Sequence, residues 1–260
     1  MSHETPIAFI LLFDWSPMNN SFERSPQIYI RIAGIFYLAI ILLGMFGEMG
    51  VRAKLMVAGN PAATMQAISQ SPLLWRAGIA GDLLMHVFDL PVIVVMYFLL
   101  KPVNQSFSLL AVYTNLIQTA VLVANKMTLL VPLFLLSGAS YLKAFSPEQI
   151  NALAYLAIKA HGYGFGVGLI FFGVACLVRG YLMVKAGYIP KILGILMLLT
   201  GWCYLINSFA LLVAPALADL LFPFILLPPL VGELSFSLWM IVKGVNLAQW
   251  QQRVGDAAAR

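Results

Sequence analysis

The sequence predicts an all-α, polytopic integral membrane protein built as a six-helix transmembrane bundle. Three observations predict it. Of 260 residues, 62% are hydrophobic and only 10% charged, against about 25% charged in an ordinary soluble domain. The mean hydropathy is +0.92. The apolar residues fall in long unbroken runs, not in the alternating ten-residue segments of a membrane barrel. A soluble fold cannot hide that much apolar sequence without exposing large sticky patches, so lipid is the expected solvent for much of the surface.

Six runs meet the length of roughly 20 residues that one helical crossing needs. They cover Tyr29–Gly50, Pro72–Leu100, Phe107–Leu136, Ala152–Val178, Ile189–Val213 and Leu217–Val245. Ahead of them, Ile7–Phe13 is too short to cross. It follows Glu4 with no Lys or Arg before it and no A-x-A site after it, which argues against a signal peptide. Residues 1–26 are therefore expected to form a loose or interface-lying leader, residues 27–250 the transmembrane domain, and residues 251–260 a tail. Between the first two runs, Asn60 before Pro61 reads as an N-cap followed by proline at the first helical position, so a short surface helix is expected there. Ser146 and Pro147 promise a similar short helix over residues 145–152.

The net charge of +5 is spread over short loops and helix ends. No basic stripe is interleaved with exposed aromatics, so nucleic acid is not an expected partner; the lipid bilayer is. If the termini and the second and fourth loops share one side, that side holds Arg24, Arg31, Lys101, Arg179, Lys185, Lys191, Lys243, Arg253 and Arg260. The opposite side holds Arg52, Lys54, Arg76 and Lys143. The excess predicts cytoplasmic termini. Cys176 and Cys203, the two cysteines, lie in apolar runs and form neither a disulfide framework nor a zinc spacing.

Chemistry has to come from polar groups inside the spans, because each charge there costs about 2.5–3.5 kcal/mol on the milder insertion scale. Asp82, His86 and Asp89 stand at i, i+4 and i+7 of the second span, so they share one face near mid-membrane. An imidazole between carboxylates can exchange a proton near neutral pH. The same three side chains are also a candidate metal set for zinc, iron or manganese, or simply a structural network. The third span carries Asn115, Gln118, Thr119, Asn125 and Lys126 on one arc. Lys126 lies too deep to snorkel, and Asp82 or Glu233 is its expected partner. Glu233 sits mid-way along the sixth span behind Pro228 and Pro229. Lys159 and Tyr163 share a face of the fourth span, and Tyr204, Asn207 and Ser208 form a polar patch on the fifth. Glycines 162, 166 and 168 of GYGFGVG are expected to let helices approach closely.

These groups nearly cancel in charge, which points to one shared interior site. The expectation is a cavity lined by Asp82, His86, Lys126 and Glu233, open to the outer side and suited to a small polar solute or protons. Asp89, Asn125, Lys159 and Asn207 would be accessory groups. A second reading is an intramembrane enzyme acting on a lipid or quinone-like substrate, with Ser208 or Ser237 brought to His86. No HExxH or GxSxG motif supports it. Haem ligation by His86 and His161, or a sensor subunit, are further readings; no specific cofactor is indicated.

Several stretches resemble the bacterial membrane family catalogued as domain of unknown function 4386. They are RIAGIFYLAIILLG in the first span, VRAKLMVAGNPAATMQAI after it, WRAGIAGDLLMHVFDLPV in the second span, GYIPKILGILMLLTGWCYL in the fifth and GELSFSLWMIVKGVN in the sixth. The likeness covers roughly residues 28–250 and rests on the order of these stretches. It implies a helical inner-membrane protein and supplies no catalytic residue.

Overall fold

A computed structural model of the chain describes Phe22 and residues 25–259; the expected leader falls almost wholly outside them. Among the described residues there is helix and no strand. Six helices are long and apolar enough to cross a membrane, so the chain is an all-α bundle of six spans. The first is α1, Pro26–Met45, prolonged by a π-helical segment Phe46–Arg52 and a last turn Ala53–Leu55. After the loop helix α2, Pro61–Gln70, come α3, Pro72–Leu100, α4, Gln105–Leu135, α5, Pro147–Ala186, and α6, Lys191–Val213. The chain closes with a short α7, Pro215–Leu221, then α8, Leu227–Val242, and α9, Leu247–Ala258.

Local chemistry starts the helices after Asn60 and Ser146 where expected, and adds a cap at Asn104. Asn60 accepts a hydrogen bond from Ala63 N at 3.0 Å ahead of α2, and Asn104 accepts from Phe107 N at 2.9 Å ahead of α4. Ser146 and Gln149 form a reciprocal capping box, which satisfies two of the otherwise orphaned first-turn donors.

Three expectations need correction. Residues 145–152 are not a separate surface helix: the capping box opens the 40-residue α5, because no breaker intervenes between Pro147 and the apolar run. Leu217–Val245 is not one helix, since Phe222 leaves the helical region ahead of Pro223 and a 3-10 turn, Phe224–Leu226, leads into α8. The first span runs on to Leu55, so Arg52 belongs to a helix and not to a loop.

Length sets the depth of everything else. At about 1.5 Å per residue, α5 is roughly 60 Å long, twice the ~30 Å hydrocarbon layer. The prolonged α1, α3 and α4, of 30, 29 and 31 residues, also overrun it. The surplus gathers at one end, here the cap end, where α2 and the start of α5 meet. There Val51, Met65, Ile68, Trp75, Leu129 and Ile158 form a core of their own, and the Trp75 indole donates to Leu129 O at 2.9 Å. The other end, the termini end, holds the larger core, in which Phe22, Ile30, Leu99, Leu182 and Trp250 are buried. Tyr188 donates to Leu99 O at 2.6 Å and so caps α3. Gln27 clamps Lys243 O at 2.6 Å and Val245 N at 3.2 Å, tying the first span to the last.

Helix α5 packs closely against α6. A Cβ added at Gly180 would meet Gly194 O at 2.8 Å, and one at Gly173 would meet Gly201 O at 3.1 Å. Gly180 and Gly194 lie seven residues either side of Gly187, and Gly173 and Gly201 fourteen. Gly187 is the turn residue, with φ of +82°. A seam repeating every seven residues keeps one stripe of each helix facing the other, so the hairpin is built symmetrically about its turn.

Candidate functional site

The polar residues form two centres. The first lies toward the cap end. Asp82 Oδ2 accepts from Arg52 Nη1 at 2.6 Å and pairs with Lys126 Nζ at 2.9 Å. Arg52 Nε also donates to Glu48 at 2.8 Å. Asp82, Lys126, Arg52 and His86 are 1, 2, 7 and 3% exposed, whereas the Glu48 side chain is 65% exposed. Gly47 makes the pairing sterically possible, because any Cβ there would collide with the Asp82 carboxylate. It belongs to the π-helical segment, a distortion that recurs at functional sites. Two charges of each sign meet, with Asp82, Arg52 and Lys126 buried and the exposed Glu48 completing the balance. Even so, Asp82 Oδ1 and His86 Nε2 are buried without a hydrogen-bond partner. Beside them Asn125 Nδ2 contacts His161 Nδ1 at 3.0 Å and donates to His161 O at 2.9 Å, and the Lys126 ammonium stands 5.7 Å from the Phe165 ring centre.

The second centre lies deeper. Asp89 Oδ2 accepts from Asn115 Nδ2 at 2.8 Å and Thr119 Oγ1 at 2.6 Å. Glu233 accepts from the Tyr204 hydroxyl. Arg179, 4% exposed, lies within electrostatic reach of both carboxyl groups. It lies beside Ile93, Met96, Ser108 and Ala111 in a crevice too narrow to hold a water molecule. Tyr37 and Cys176 face the same carboxyl of Glu233.

Helix rise separates the two centres. Counted at 1.5 Å per residue from the termini end of their helices, Arg179, Glu233 and Asp89 stand at about 10, 14 and 17 Å, and Asp82 and Lys126 at about 27 and 32 Å. The second centre is therefore near the membrane middle and the first near the cap-side boundary. This corrects the single cavity expected for Asp82, His86, Lys126 and Glu233. Asp82, His86 and Lys126 are brought together, but Glu233 belongs with Asp89, about 15 Å deeper. Depth read from the start of α3 goes astray because that start overruns the bilayer.

The other expected residues divide. Asn125 joins the first centre through His161. Lys159 is exposed, its ammonium 5.7 Å from the Tyr155 ring centre, and Asn207 is half-buried; neither reaches a centre. Asp82, His86 and Asp89 do not assemble as a metal set, and no group of three such ligands gathers among the described residues. One Asp82 oxygen is already taken by two cations, and Asp89 is held by α4. Ser237 is no candidate nucleophile for His86, since its hydroxyl donates to Gly34 O at 3.1 Å. Sequence reasoning missed Arg52 and Arg179, both counted as loop charges. The signals were the i, i+4 spacing of Glu48 and Arg52 and the lone arginine of CLVRGYLMV. Gly162 meets nothing within 4 Å, while Gly164, Gly166 and Gly168 do pack, against Asn125, Leu211 and Leu122.

Comparison with known proteins adds a lineage without an activity. An uncharacterized protein of the archaeon Archaeoglobus fulgidus is 28% identical over 176 residues, covering 66% of this chain and 86% of its own length. No solved structure matches. The pattern of the domain of unknown function DUF4386 matches residues 32–244, which is most of the chain and spans both polar centres, and the chain belongs to that family.

Proposed function

We propose that the chain is a multi-pass membrane carrier or channel for a small polar solute or protons, gated at the Asp82 centre. One observation carries this reading: a single buried carboxylate oxygen holds cations from two other helices, Arg52 after α1 and Lys126 of α4. A proton or a competing polar solute that takes Asp82 releases both at once, and three helices lose their common tie. His86, one turn from Asp82 and bonded to nothing, is the group placed to deliver that proton. The reading includes a bacterial plasma-membrane location with the termini end cytoplasmic. Setting aside the buried Arg52 and Arg179, the basic residues counted from the sequence still divide eight to three in favour of that side.

The test uses purified protein in liposomes loaded with a pH-sensitive dye. An external pH step should relax faster than in protein-free vesicles, or faster once a solute from a panel of small polar compounds is added. His86→Gln, which keeps most of the buried volume and cannot carry a proton near neutral pH, should abolish the difference while the protein stays folded. Wild-type vesicles that match empty ones under every condition, with no panel compound shifting the melting temperature, would end the proposal.

A further inference from the structure

The membrane-middle centre has a charge count of its own. Its ionisable groups come from five helices. Tyr37 faces it from α1, Asp89 from α3, Arg179 and Cys176 from α5, Tyr204 from α6 and Glu233 from α8. The α4 partners Asn115 and Thr119 add hydrogen bonds and no charge. Phenols and thiols are ordinarily neutral at pH 7. Two carboxyl groups then face one guanidinium, and full ionisation leaves one uncompensated negative charge where the dielectric is lowest. Such a charge is neutralised in preference to being tolerated. The Asp82 centre does not share this imbalance, because Glu48 and Asp82 match Arg52 and Lys126 within contact distance.

We propose that this centre is a proton-binding site in which Glu233 carries one exchangeable proton, with Asp89 ionised and Arg179 as the fixed counter-charge. The hydrogen bonds decide between the two carboxyls. Asp89 Oδ2 receives two donors, at 2.8 and 2.6 Å, an arrangement that favours a carboxylate. Glu233 receives only the Tyr204 hydroxyl within hydrogen-bond distance, on Oε1, and the Tyr37 hydroxyl, buried close by without a partner of its own, is available to accept an O–H formed on Oε2. The proton comes from water and returns to it, so nothing is oxidised or consumed. Arg179 makes no ion pair within contact distance among the described residues, and its Nε and Nη2 are buried without acceptors. It therefore serves as a charge held near both acids and bound to neither. This assignment rests on charge balance and stands whether or not the Asp82 centre carries a solute.

The experiment is infrared difference spectroscopy of the purified full chain at neutral pH, in choline and in sodium buffer, with exchange into D2O. The carboxylic acid C=O stretch reports each protonated buried acid and shifts with deuterium. Wild type should show one such acid. Glu233→Gln and Asp89→Asn should each abolish it, because the remaining carboxylate then balances Arg179. Arg179→Gln should raise the count to two. Absence of the band in folded wild type would overturn the proposal, as would its persistence in Glu233→Gln. Loss of the band on adding sodium would overturn it too, since a metal cation would then supply the balance. The two isosteric acid variants decide the matter even if Arg179→Gln does not fold.

Discussion

Replacing Asp82 by asparagine tests whether the ion network holds the cap half of the bundle together. The substitution keeps shape and removes the one anion that faces both Arg52 at 2.6 Å and Lys126 at 2.9 Å. Those cations are 7 and 2% exposed, so neither recovers water when its partner goes. Breaking a buried pair from one side costs about 3–5 kcal/mol, which is about two to three and a half powers of ten in the folding equilibrium. Lys126→Met is the gentler cut. Asp82 keeps Arg52, and the loss is that of one of its two buried ion-pair contacts, about 1.5–3 kcal/mol on the scale of a charged contact. The double variant should cost less than the sum, with a coupling of about 0.5–3 kcal/mol, because Lys126 no longer faces an amide. Glu48→Gln is the control. Its side chain is 65% exposed, so its loss should stay within about 1 kcal/mol. Equilibrium unfolding in mixed detergent micelles measures all four. An Asp82→Asn cost no larger than that of Glu48→Gln, or strict additivity in the cycle, would refute the reasoning.

Gly180→Ala should destabilise by about 1–3 kcal/mol through overpacking, because its Cβ would meet the backbone atoms Leu198 N at 2.7 Å and Gly194 O at 2.8 Å. Gly162→Ala, with nothing within 4 Å, should be neutral or mildly stabilising; the reverse order in thermal melts would exclude the seam. Tyr188→Phe should cost about 1 kcal/mol by leaving Leu99 O without its donor. Burial holds the Tyr188 phenol above its ordinary value, so the folded state keeps a proton that the unfolded chain sheds. Stability from this residue is complete below pH ~10 and falls as pH rises beyond it. The melting temperature of Tyr188→Phe should therefore decline less between pH 9 and pH 11 than that of wild type, and parallel declines would refute the assignment. Reporter fusions should place both termini in the cytoplasm, and termini on opposite sides would break the six-span topology.

Much of the molecule was legible without coordinates, because the features concerned are local. Continuous apolar runs set the number of spans, and side-chain caps at Asn60 and Ser146 set where helices begin. That Lys126 needs a carboxylate partner followed from the cost of an unpartnered charge in lipid; that the partner is Asp82 and not Glu233 came from the structure. What the tertiary structure decided was depth and company. Helix ends that overrun the bilayer are apolar too, since they pack on Val51, Met65, Trp75 and Ile158 of the cap core. Apolar sequence alone therefore cannot mark where the membrane stops, and Asp82 moves from the middle to the boundary. Arg52 and Arg179 look like loop charges until the π-helical segment and the length of α5 carry them inside. Which glycine packs is likewise a tertiary matter. Gly162 and Gly166 are equivalent in the sequence, yet only the facing of α5 against α6 and α4 buries one and leaves the other bare. A side chain's chemistry is local, but its partners come from helices far apart in the chain, and packing alone selects them.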